Sequence, residues 1–158
     1  MKSKLLLLLI GCFLGTAAFA QEWSTATSSN KSNGRVIIFR YVSKFASGFD
    51  RKSQPNRIII AWKYQSEKGM PSMAERQQMD AMEDALQPIL EKDSLATLAL
   101  VSTGENLREW TYYVKSEKEF FSRLNKALAK KAAFPIDIHT AADPTWSMYE
   151  KFRTGVRE

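Results

Sequence analysis

From residue 57 onward the apolar residues recur at two periods in turn, and the order of those periods leaves few architectures open. Arg57 to Tyr64 (R-I-I-I-A-W-K-Y) is β-branched and aromatic. Ile58, Ile60, Trp62 and Tyr64 share one face and Ile59 and Ala61 the other, the pattern of a strand inside a sheet rather than at its edge. Gly69 and Pro71 mark a turn, and Ser72-Met73-Ala74-Glu75 reads as a capping box, the serine hydroxyl accepting from a first-turn amide while the glutamate reaches back. Met79, Met82, Leu86 and Ile89 follow at helical spacing, with Pro88 predicting a kink or a short new turn. Leu95 to Thr103 and Asn106 to Lys115 flank Gly104-Glu105, which reads as a hairpin turn. Ser116 to Glu119 is a second capping box, opening a helix whose buried stripe is Phe120, Leu124, Ala127 and Leu128. Phe134 to Thr140 is the last strand.

Strand, helix, strand, strand, helix, strand is the ferredoxin-like βαββαβ arrangement, so the expected fold class is α+β. An earlier strand, Arg35 to Val42, and a closing helix are added to it. Asp143-Pro144 supplies a cap and a first-position proline for that helix, along which Trp146, Tyr149 and Phe152 recur every three residues. Two helices cover one sheet face, yet the strands carry apolar groups on both. An apolar face of several hundred Å² is rarely left bare, so the closing helix is the expected cover, with a second subunit or protein partner as the alternative. The position of the first strand stays open, because a hairpin with the second would displace one of that strand's two expected neighbours.

The first twenty residues concern location. Lys2 and Lys4 precede an apolar run from Leu5 to Leu14, and Ala18-Phe19-Ala20 ends the segment, which is the layout of a secretory signal peptide cleaved between Ala20 and Gln21. The run is shorter than the ~20 residues a bilayer span needs. An exported protein, periplasmic or secreted, is expected. Leu9 to Cys12 also fits a lipoprotein box with an anchor at Cys12, but the apolar core before it would be short. Cleavage at Ala20 removes the only cysteine, leaving no disulfide and no thiol chemistry. The domain layout is then a leader (1–20), a polar stretch expected to be flexible (21–34) and one α+β domain (35–155). Removing two lysines leaves 21 basic against 17 acidic residues, too mild a balance for a nucleic-acid footprint.

Recognised catalytic patterns are missing: the sequence holds no Gly-rich phosphate loop, nucleophile elbow or zinc helix motif, and no cofactor is expected. His139, the sole histidine, shares a strand face with Asp137, and Asp143 follows four residues later. This trio is the one candidate for a metal-dependent or hydrolytic centre, although a polar strand face near a turn accounts for it equally well. Trp62, Trp110, Tyr112 and Trp146 are the candidate binding aromatics. On strands they could stack a small ligand or glycan, but aromatics at strand spacing chiefly bury area. Glu83 and Asp84 are adjacent on a helix, point different ways, and read as solvated surface. The function these readings favour is non-catalytic binding or association, through an aromatic sheet face or the Met-rich helix.

The chain resembles the bacterial domain-of-unknown-function family 695. The resemblance is carried by Gly69-Met70-Pro71-Ser72 with Glu75, Met82 to Leu86, Gly104, Arg108 to Tyr113, and Asp143-Pro144-Thr145-Trp146 with Tyr149. It implies an α+β, ferredoxin-like domain similar in outline to the ribonuclease E inhibitor B group, and it brings no catalytic residues.

Overall fold

The computed structural model describes residues 20–156; Cys12 and all of the expected leader except Ala20 lie outside the described residues. Six strands and three helices form an α+β domain. In chain order they are β1 (Glu22–Ser29), β2 (Val36–Lys44), β3 (Asn56–Lys63), α1 (Met73–Leu90), β4 (Ala96–Gly104), β5 (Leu107–Val114), α2 (Glu117–Leu128), β6 (Ile136–Ala142) and α3 (Ser147–Gly155). The strands make one antiparallel sheet in the order β1-β2-β4-β5-β3-β6.

That order settles the place of the earlier strand. β2 pairs with β4, not with β3, so β3 keeps β5 and β6 as its neighbours. β4 and β5 are joined by Glu105-Asn106, both at positive φ (50° and 65°), the mirror-image turn whose twist suits a two-residue hairpin. The turn therefore lies one residue beyond the Gly104-Glu105 pair read from the sequence. Gly104 serves a different purpose: at φ 152° a Cβ there would sit 2.2 Å from the Val36 carbonyl oxygen, so β2 approaches β4 only over a glycine.

The polar stretch after residue 20 is a correction to the sequence reading. Glu22–Ser29, expected to be flexible, is strand β1, paired with β2 along its length. Side-chain polarity misleads here because an edge strand is held by its ladder bonds and needs few buried side chains. One of them, Trp23, packs against the main core. Asn30 closes the following turn through its carbonyl and side chain.

The core has two sides. Ile58, Ile60 and Trp62 of β3, Leu98 and Val101 of β4, and Trp110 and Tyr112 of β5 meet Met79, Met82, Leu86 and Leu90 of α1 and Phe120 and Leu124 of α2. Leu90 fills the place expected for Ile89, which is exposed. The capping box at Ser72 and Glu75 forms as expected. On the opposite sheet face lie Ala99, Tyr113, Trp146 and Tyr149, so α3 does cover the second face. Phe152 extends this cover onto Phe39 and Tyr41, with ring centroids 5.0 and 5.2 Å away.

Candidate functional site

The candidate residues of the sequence do not converge. Trp62, Trp110 and Tyr112 are buried under α1 and α2, while Trp146 is buried on the other side of the sheet. None offers a free ring face, so the proposed stacking platform does not exist and their role is packing. The Met-rich helix is likewise core at Met79 and Met82. The sheet rows explain the first result: alternation sends Ile58, Ile60 and Trp62 to one side, and the helices that must close that side cover them.

Asp137, His139 and Asp143 are spread along one extended segment. Six residues of strand separate Asp137 from Asp143 by about 20 Å. Asp137 pairs with Lys63 at 3.1 Å, His139 is exposed opposite Ile59, and Asp143 is buried. No group of three potential ligands able to hold a metal occurs among the described residues. The three side chains do not come together.

Asp143 instead fastens α3. The chain turns through Pro144 and Thr145 to Trp146 in left-handed conformation (φ 56°), and the helix proper starts at Ser147, later than the sequence indicates. The Asp143 carboxylate accepts from the Ser147 amide (2.7 Å) and hydroxyl (2.8 Å), the Met148 amide (3.2 Å) and the Tyr113 hydroxyl (2.8 Å). Burial pushes this carboxyl up, but those donors outweigh it and hold the group below the ordinary carboxylate range. Burial, with Asp143 as acceptor, pushes the Tyr113 hydroxyl well above its usual value, which keeps it a donor. Trp146 stacks on Tyr113 at 3.8 Å and donates its indole N–H to the Arg51 and Gln54 carbonyls. Tyr149 donates to the Val42 carbonyl.

A second polar cluster escaped the sequence reading. Glu83, taken as solvated, is only 6% exposed. Its carboxylate accepts from Trp110 Nε1 (2.7 Å), Arg108 Nη2 (3.1 Å) and Arg40. Arg108 reaches Asp80 as well, at 2.9 Å, and Arg40 lies over the Trp23 ring. A signal existed: Glu83 stands four residues after Met79 and three before Leu86, on the buried stripe itself. Both Glu83 carboxylate oxygens have donors, so this carboxylate is spent on internal partners, while the buried Nε of Arg108 stays without one.

What stays open is a groove on the α3 side of the sheet, with a volume of about 1000 Å³. Cross-strand register builds its floor. One row runs Ser24, Tyr41, Leu100, Thr111, and the next Ala26, Phe39, Ser102, Glu109. Met148, Lys151 and Phe152 of α3 form its wall, and β1 bounds it at the sheet edge. Small side chains on β1, β4 and β5 (Ser24, Ala26, Ser102, Thr111) leave the space that α3 does not fill. His139 continues the first row two strands past Thr111, about 10 Å outside the groove. Rings, hydroxyls and one charge of each sign make the lining mixed in character, with no convergent catalytic set.

A model of a family of unknown function (DUF695) matches residues 21–153, and the chain belongs to that family. The match begins at β1, which the sequence reading left outside the domain. No curated protein matches the chain.

Proposed function

We propose that this member of the family is an exported, non-catalytic interaction domain that binds an extended segment of another protein in the groove between α3 and the sheet. One observation carries the reading. The chemistry-bearing side chains (Glu83, Arg108, Asp143, Tyr113) are spent on internal partners, whereas the groove presents rings and hydroxyls to solvent. A floor alternating Tyr41 and Phe39 with serines, threonine and Ala26 suits a chain whose side chains alternate in polarity. Lys151 alone, near Glu109, makes no phosphate-tracking surface.

Two finer readings belong to this proposal. The inner strand order β4-β5-β3-β6, with α1 and α2 on one face, supports a ferredoxin-like core extended by the β1–β2 hairpin. The Lys2 to Ala20 pattern supports action outside the cytoplasm, and no helix among the described residues is long and apolar enough to cross a membrane.

The test fills the groove. Ser102→Trp places a large ring on its floor, and a photo-crosslinking residue at position 151 reports what binds. Crosslinks in the envelope fraction should form with the native floor and vanish in Ser102→Trp at unchanged thermal stability. An identical crosslink pattern in both would refute groove binding.

A further inference from the structure

We infer that β1 pairs antiparallel with β1 of a second copy, joining two sheets edge to edge into a homodimer. Among the described residues β1 is a terminal strand of the sheet and pairs only with β2. An edge of this length is normally blunted by charge, proline or a bulge. From Trp23 to Ser29 the sequence W-S-T-A-T-S-S has no charge and no proline, and its register with β2 is regular, the single irregularity falling between Glu22 and Trp23. The opposite edge, β6, carries Asp137 and His139, both exposed. Only one of the two edges is protected.

Self-complementarity selects a second copy as the occupant. Pairing about Ala26 sets Thr25 against the partner's Thr27, Ser24 against the partner's Ser28, and Trp23 against the partner's Ser29. Threonine and serine pairs directly opposite one another are favourable, and no like charges meet. Glu22 falls opposite the uncharged Asn30, outside the central pairs. The dyad stands normal to the sheet, so both grooves lie on the same face with only the two β1 strands between them. A strand-only contact is smaller than the roughly 800 Å² per partner of a standard interface, so a weak, concentration-dependent dimer is expected. The proposal is independent of the groove's ligand: the groove test reads a crosslink, and this one reads mass.

Sedimentation velocity of the purified protein should show a monomer–dimer equilibrium across micromolar concentrations. Thr25→Glu with Thr27→Glu sets like charges opposite each other and should weaken the dimer at least tenfold. Thr25→Glu with Thr27→Lys makes the same positions complementary and should restore it. Both variants change the same two exposed positions and leave the core intact, which far-UV circular dichroism verifies. Independently, Ala26→Cys in a chain lacking Cys12 should form an intermolecular disulfide at the dyad, where opposed Cα atoms lie about 4.5–5.5 Å apart. A monomer at every concentration, an undiminished dimer in the double-glutamate variant, failure of the charge-paired variant to recover, or no disulfide at position 26 would each overturn this pairing.

Discussion

Removing the Glu83 carboxylate should be among the most damaging single changes in this domain. Three donors converge on it, and two belong to guanidinium groups; the Arg108 side chain is only 10% exposed, while that of Arg40 is 42% exposed. Glu83→Ala leaves Arg40 to water but strands Arg108 with the exposed Asp80 as its remaining partner, and leaves the Trp110 indole N–H unpaired. Breaking a buried pair from one side typically costs about 3–5 kcal/mol, because the abandoned charge stays buried. For a domain of this size that corresponds to a fall of roughly 10–15 °C in Tm. Urea unfolding followed by tryptophan fluorescence measures the loss directly, and Glu83→Leu, Arg108→Leu and the variant carrying both make up a double-mutant cycle. Replacing both partners by apolar groups of similar volume is often neutral or stabilising, so the double variant should recover most of the loss. If Glu83→Ala costs less than about 1 kcal/mol, or if the two single losses simply add, Glu83 and Arg108 are not the coupled pair described here.

Three further outcomes follow from other contacts. Gly104→Ala should abolish folding or cost several kcal/mol, since the new methyl meets backbone at 2.2 Å and no side chain can yield; expression and circular dichroism check this. Asp143 has a lowered pKa, so its stabilisation is complete above the unfolded carboxylate value near 3.9 and is lost as pH falls through the folded value; Asp143→Asn should lower stability at pH 7 and flatten the acid limb below about pH 4. An acid limb as steep as that of the native protein would refute the assignment. Trp146→Ala removes the stack on Tyr113 and two indole hydrogen bonds, which should cost about 3–5 kcal/mol and expose α3 to proteolysis ahead of the sheet, as hydrogen exchange of residues 147–155 would reveal.

Much of the fold was legible because its signals are local. Capping at Ser72 and Ser116, the stripe through Met79 and Leu86, and the paired faces of β3 follow from spacing within one element. The place of β2 is non-local: its partner β4 lies some sixty residues on, and only Gly104, under the Val36 carbonyl, hints at the approach. Arg123 shows the same limit. Within α2 it is one more charged residue, yet it donates to the Ile89 and Lys92 carbonyls and tethers α2 to the end of α1. Charge pattern along one helix cannot disclose which carbonyls of a neighbour it will meet.

The candidate site was hidden for a different reason. The residues behind the family resemblance are those that build turns and fastenings. Gly69 takes φ 76° and offers its carbonyl to Tyr64, Ser72 and Glu75 cap α1, Glu83 gathers Arg40 and Arg108, and Asp143 with Trp146 anchors α3. Conspicuous residue types are conspicuous here because the fold demands them. The groove is made of the inconspicuous ones, Ser24, Ala26, Ser102 and Thr111, whose contribution is the volume they leave empty beneath α3. Small polar residues in sequence are the mark of a linker, and β1 was read as one. They become a floor only when β2 and β4 lie beside them, so a concavity defined by missing bulk can be recognised only after the register of four strands is known.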